Sequence, residues 1–440
     1  MRWLLRTVAA TAAIGLATAP AVAAHAAPGP RADQWWFDSW GIQKDVWPIT
    51  KGKGVTVAVI DTGVNARLPD LKSVVLPGTD LTGQGGDGRQ DNDSYNHGHG
   101  TGMASLIASQ GTATGFVGIA PEAKILPIAA SVSGPTTAKA VRYAVDHGAK
   151  VVNISQSSES ADIYPNQCPP QLLEAVEYAA KKDVVIVAAA GNSGDNGNKP
   201  NYPASCPGVV AVGALGQDGK PWKSTQKQPY VTVGAPGANV GYLGKEGRAY
   251  RSGAGTSQAT ALASGAIALV RSHYPNLSAR QVVQRITATA KDFGPPGKDD
   301  LVGYGVISIP RALKQDVPAN APNPVYQRLD KVMAGKKAGA GATKPAAAGE
   351  EDSGGFPVLI VGGVVVVLLV LGGGAFLLTR GRRKPAAPSG PMPGPMGPPQ
   401  PFGAPQSGPQ QSPYQTGPQP QRPPAGPPSF GGPQNPPPGG

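Results

Sequence analysis

Five apolar runs, each six to eight residues long, recur along the first half of the chain and are rich in β-branched residues. They are GVTVAVID (54–61), KILPIAA (124–130), KVVNIS (150–155), DVVIVAAA (183–190) and GVVAVGA (208–214). None alternates polar with apolar, so each reads as a strand buried on both faces. Between them TTAKAVRYAVDHG (136–148) and QLLEAVEYAAKK (171–182) carry apolar stripes at helical spacing and end at Gly or Lys. Strand and helix in alternation predict an α/β body, a doubly wound parallel sheet with helices on both faces. In such sheets functional side chains gather outside the carboxyl ends of the strands. Asp61 stands at one such end, and Asn192, in AAAGNSG, just past another.

The pattern changes at both ends. Arg2 and Arg6 precede an apolar stretch at 8–24 followed by AHA, the layout of a secretory signal peptide spanning 1–26. At 356–379 the uncharged run FPVLIVGGVVVVLLVLGGGAFLLT is long enough to cross about 30 Å of hydrocarbon at about 1.5 Å per residue. Glu350, Glu351 and Asp352 precede it, and Arg380, Arg382, Arg383 and Lys384 follow, which predicts a cytoplasmic C-terminus and an extracytoplasmic body. The expected organisation is an N-terminal extension at 27–54 packed on a body at 55–315, a flexible linker at 316–355, one transmembrane helix, and a disordered Pro/Gly/Gln-rich tail at 380–440.

The formal net charge is +12, but the basic residues are scattered or flank the apolar run, so nucleic-acid binding is not expected. Export makes the two cysteines, Cys168 and Cys206, available for one disulfide. It would close a loop of about 38 residues and be worth up to about 4 kcal/mol; two unpaired thiols are the alternative.

Three segments carry candidate chemistry. In SGAGTSQATALASGAIALV (252–270) a serine, Ser257, opens a helix of small residues, beside free backbone N–H groups and the positive end of the helix dipole. In YNHGHGTGMA (95–104), His97 and His99 are two apart and do not share a helix face, which argues against a metal held by the pair. Asp87, Asp91 and Asp93 in GGDGRQDNDS match no complete calcium ligand set and read as a solvated acidic loop. No metal and no cofactor is expected.

Taken together, VAVIDTGV around Asp61, HGTGMA around His99, AAAGNSG around Asn192 and GTSQAT around Ser257 resemble, in order, the four signature blocks of the subtilisin-like serine proteases. GYGVISIPRAL (303–313) resembles that family's closing strand and helix. The resemblance implies an endopeptidase that forms an acyl-enzyme. Ser257 would be nucleophile, His99 general base and acid, Asp61 the residue that orients His99, and Asn192 an oxyanion donor. It also implies that an extended peptide pairs with the strand KVVNIS, the loop SQSS after it, and an edge near ILPIAASVSG. Ser131, Ser155, Gln156 and Ser157 are then the substrate-binding candidates. Ser157 and Ser158 stand where many relatives have Gly-Gly, so a small or polar residue is expected before the cut. No inhibitory prodomain fits into 27–53. Trp35, Trp36, Phe37, Trp40 and Trp47 in that stretch are expected to pack on the body, with autoinhibition the rival role.

Signal peptide, aromatic extension, protease-like body, cysteine pair and C-terminal apolar run further resemble the mycosins, membrane-anchored proteases associated with type VII secretion in actinobacteria. That resemblance implies protein or peptide substrates and a type VII secretion membrane complex as partner. Two alternatives from the sequence are a structural subunit that stabilises such a complex, and a general degradative protease of the cell surface.

Overall fold

Seven parallel strands form the centre of the computed structural model, which describes residues 28–341 apart from Pro295. In chain order they are β1 (Thr56–Asp61), β2 (Thr79–Asp80), β3 (Lys124–Ala129), β4 (Val151–Ile154), β5 (Val185–Ala189), β6 (Val209–Leu215) and β7 (Val231–Pro236). Across the sheet they run β2-β3-β1-β4-β5-β6-β7. β4 to β7 are buried along their whole length, as continuous Val/Ala/Ile runs require when both faces are covered. All five predicted runs are strands. The edge strands β2 and β7 were not predicted, nor was the small antiparallel hairpin of β8 (Tyr242–Leu243) and β9 (Ala249–Tyr250).

Helices α2 (His99–Ala108) and α5 (Thr256–His273) pack together against the sheet. α3 (Gly134–Asp146) and α4 (Pro170–Lys181) form a second pair lying against β1, β3 and β5. Ser133 caps α3, its hydroxyl accepting from the Thr136 N–H at 3.2 Å. α5 is buried from Thr256 to Arg271, which its small residues permit. The closing segment keeps a helix, α7 (Ile309–Lys314), after α6 (Ala279–Ala288); the expected strand before it reduces to isolated bridges from Val306 to Gly234 and Lys291. Cys168 and Cys206 are joined in a disulfide that ties the start of α4 to the turn before β6.

The aromatic extension is part of the core. Trp36 and Phe37, in α1 (Trp36–Ser39), are buried together with Trp40, and Trp36 packs on Phe116 with ring centroids 6.2 Å apart. The Trp35 and Trp47 indoles donate to the carbonyls of Asn239 and Ile119, both at 2.9 Å. These residues are held by burial and hydrogen bonding.

The expected flexible linker is corrected at Pro324–Gly341. Helix α8 (Pro324–Gly341) buries Val325, Tyr326 and Leu329, a spacing that puts all three on one face. Arg280 forms a two-pronged pair with Asp330 (2.8 and 2.7 Å) and lies over the Tyr326 ring, while Arg328 donates to the Ser205 carbonyl at 2.6 Å, next to the disulfide. Alanine, glycine and lysine around the short apolar stripe hid this helix. Replacing Tyr326 by Ala should cost about 3 kcal/mol in urea unfolding, as for other large buried side chains. A change under about 0.5 kcal/mol would mean that α8 is not held on the body. Among the described residues no helix is long and apolar enough to cross a membrane. The expected signal peptide, 356–379 span and 380–440 tail lie outside the described residues.

Candidate active site

β1 delivers Asp61, fully buried, to the carboxyl edge of the sheet. Its Oδ1 accepts from the Thr62 N–H and from His99 Nδ1, each at 2.8 Å. An ionised carboxylate only accepts, so Nδ1 carries the proton and the neutral ring has its lone pair on Nε2. His99 is the first residue of α2, and the donors of that first turn are all satisfied. Asp93 takes the His99 N–H (2.9 Å), Thr62 Oγ1 takes that of Gly100 (2.9 Å), and Asp91 takes that of Thr101 (2.8 Å). Position 100 must be glycine, because a Cβ there would lie 2.1 Å from the Gly63 carbonyl oxygen.

The acidic loop is therefore not solvated as its sequence suggested. Asp91 and Asp93 are buried and committed to helix-start donors, and only Asp87 behaves as expected, pairing with Arg89 at the surface. Burial would raise the Asp93 carboxyl, but N–H donors from Tyr95, His99 and Asn96 outweigh it and hold it below the usual carboxylate range. Burial pushes the His99 imidazole down. The charge and hydrogen bond of Asp61, with Asp93 and Asp91 further off, push harder and hold it above its ordinary value.

Ser257 is the second residue of α5, and its N–H is one of the first-turn donors without an acceptor inside the helix. Its hydroxyl donates to the Ser155 carbonyl at 2.8 Å and makes no hydrogen bond to the imidazole. Asn192, in the loop after β5, is held by Thr256: the Thr256 N–H and Oγ1 both donate to Asn192 Oδ1, at 2.9 and 2.8 Å. Thr256 Oγ1 in turn accepts from the Gly191 N–H at 3.1 Å. With Oδ1 so committed, the Asn192 NH₂ is left to donate. His99, Asn192 and Ser257 line one open cavity of about 320 Å³ with Met103, Tyr242 and Gln258. Residues from β1, α2, the β5 loop and α5, spread over nearly 200 positions, thus meet at one edge of the sheet.

Other candidates divide. Ser131 and Ser157 are exposed and Gln156 half-buried, just past the ends of β3 and β4. Ser155 does not reach substrate through its side chain, which is buried between Asn153 Nδ2 (2.9 Å) and the Ser257 carbonyl (3.2 Å). A serine after an apolar strand gives no local sign of that network. Ser158 pairs by its backbone with Tyr202. His97 turns outward, stacked on Tyr250 with centroids 4.6 Å apart, so it does not join His99. Thr256, which orients Asn192, carries no local mark of that role in the sequence.

The profile of Peptidase S8, the subtilase family, matches residues 52–305. The chain belongs to the subtilase family. Among relatives, Mycosin-1 of Mycobacterium tuberculosis (strain ATCC 25618 / H37Rv) is 36% identical over 352 residues, covering 66% of this chain and 76% of that one. Mycosin-3 of the same organism is 34% identical over 335 residues, covering 62% and 70%. The solved MycP3 protease from the type VII (ESX-3) secretion system superposes with a TM-score of 0.57 at 33% identity, covering 67% and 90%. This subtilase is accordingly a serine endopeptidase of the mycosin type.

Proposed function

We propose that Asp61, His99 and Ser257 are the triad of this endopeptidase and that Asn192, with the Ser257 N–H, receives the oxyanion. The observation that carries this reading is the Asp61–His99 hydrogen bond at the rim of the cavity that Ser257 and Asn192 also line. Rotation about the Ser257 Cα–Cβ bond takes the hydroxyl from the Ser155 carbonyl into that cavity. His99 Nε2 then accepts its proton as Oγ attacks the substrate carbonyl carbon. The imidazolium, stabilised by Asp61, passes that proton to the departing amine, leaving an acyl-enzyme. Water, deprotonated by the same Nε2, releases the acid and restores the hydroxyl. The developing oxyanion meets the Asn192 NH₂, the free Ser257 N–H and the positive end of α5.

The sheet offers a place for the peptide. β3 and β4 both pair with β1, so they lie about 9.5 Å apart, two strand spacings. The segments at 130–133 and 155–157 continue from the ends of β3 and β4, and one extended strand of substrate is read as pairing between them. Ser131, Gln156 and Ser157 are the side chains that meet it, and they suit a small or polar residue before the cut.

Because neutral His99 is the base, kcat/KM falls as pH drops through its pKa. Its raised value places that acidic limb above about 6.5, the ordinary histidine figure. A kcat/KM profile with its lower midpoint at or below 6.5 would contradict the assignment.

The body is further read as tethered by the 356–379 span on the extracytoplasmic side of a cell membrane, acting on exported proteins in type VII secretion. This rests on the flanking charges and on the mycosin relatives. Treating the intact chain with a fluorophosphonate, which serine attacks with release of fluoride, should give one adduct, on Ser257. An adduct elsewhere, or none, defeats the triad. Comparing termini of exported proteins with and without that inhibitor should show a few specific cuts lost. An unchanged set defeats the secretion reading, and wholesale loss of fragments indicates general degradation.

A further inference from the structure

A lysine from elsewhere in the chain reaches the loop that launches His99. Lys245, in the turn between β8 and β9, sends its Nζ into the acidic loop, where it donates to the main-chain carbonyls of Asp93 and of Asp91, the latter at 3.4 Å. Its backbone is joined to the same region: Lys245 N–H donates to the His97 carbonyl at 2.7 Å, and its own carbonyl accepts from Asn65 Nδ2 at 2.7 Å. The contact is close enough that Gly98, at φ +89°, has no room for a side chain; a Cβ there would lie 2.5 Å from the Lys245 Cβ. The carboxylates of the two aspartates whose carbonyls Lys245 grips hold the first N–H groups of α2, those of His99 and Thr101.

We propose that Lys245 is a positioning residue for His99, its ammonium doing in this loop what a bound metal ion would do in a carboxylate-rich loop. The inference rests on the assignment of His99 as general base. Two carbonyl dipoles of one turn converge on a single ammonium, and these charge-assisted hydrogen bonds fix the turn whose carboxylates hold the start of α2. Asp93 O to Lys245 Nζ spans 152 positions in sequence, so the hairpin fixes a loop that has no regular structure of its own. Without the ammonium the 91–98 loop relaxes, and the imidazole at its end leaves the line between Asp61 and Ser257. Displacements of that kind lower the chemical step while sparing a peptide bound along 130–133 and 155–157.

The test uses the cysteine chemistry of the chain. Its only two cysteines are joined to each other, so a Lys245→Cys variant carries a single free thiol. Alkylation with 2-bromoethylamine displaces bromide and rebuilds a side chain of lysine length ending in an ammonium. Alkylation with iodoacetamide displaces iodide and gives a neutral one. The unmodified and the neutral forms should lose about tenfold or more in kcat with KM within about threefold, and the aminoethylated form should recover to within about threefold of the parent. The two adducts share one backbone substitution, so a general folding defect would lower both alike. Equal kcat in the two adducts, whether high or low, overturns the inference. The unsubstituted chain and Ser257→Ala are assayed alongside; an active Ser257→Ala would instead overturn the triad assignment.

Discussion

Ser257→Ala is expected to lower kcat by about 10⁶ while leaving the melting temperature nearly unchanged. Only the nucleophilic oxygen is removed. In the resting geometry that oxygen makes one hydrogen bond, to the Ser155 carbonyl, worth about 1 kcal/mol at most to the fold. Its neighbours are held independently of it: Asn192 by Thr256, and His99 by Asp61 and Asp93. The oxyanion donors therefore survive, and a residual rate of about 10³ over water is expected from them and from binding alone. Hydrolysis of an internally quenched peptide by the purified chain measures this directly. A loss smaller than about a hundredfold would place the nucleophile elsewhere.

Asp61→Asn should cost about 10⁴ in kcat with KM close to that of the parent. The substitution keeps the shape of a fully buried side chain, so its effect is on the proton. Asp61 can only accept, which forces the His99 proton onto Nδ1 and leaves Nε2 free for the serine. An amide at that place can donate to Nδ1, which moves the ring proton to Nε2, where it blocks general-base catalysis. The charge that holds the His99 pKa up is lost as well, so any remaining activity should have its acidic limb shifted to lower pH. Nitrogen-15 NMR of the imidazole distinguishes the two tautomers. An unchanged tautomer with kcat within about tenfold of the parent would remove Asp61 from the triad.

The same physics explains which features of the site could be read in advance. Asp61, Asn192 and the start of α5 lie at abrupt passages from apolar runs to Gly, Asn and Ser, and such passages are local enough to be seen in a window of ten residues. Thr256 and Ser155 offered no such signal. Each becomes informative only once β4, the β5 loop and α5 are side by side, when a hydroxyl or a carbonyl finds its partner 64 to 102 positions away. Asp91 and Asp93 misled for a related reason: a run of short polar residues looks solvated unless one knows that a helix begins beside it. The expected linker failed at Pro324–Gly341 because three buried residues on one face are too few to stand out against its alanines, glycines and lysines.

The sequence by itself determined the α/β class, the five long strands, the helices between them and the residues from which a triad is proposed. Periodicity, turn residues and motif spacing are properties of short segments, and short segments carry them into any fold. Tertiary structure alone decided which way the Ser257 hydroxyl points, what holds Asn192, and that Lys245 reaches back 152 positions to the loop before His99. Those arrangements depend on side chains brought together by the crossing of β1, β4, β5, α2 and α5, and no local pattern along the chain encodes where such elements cross.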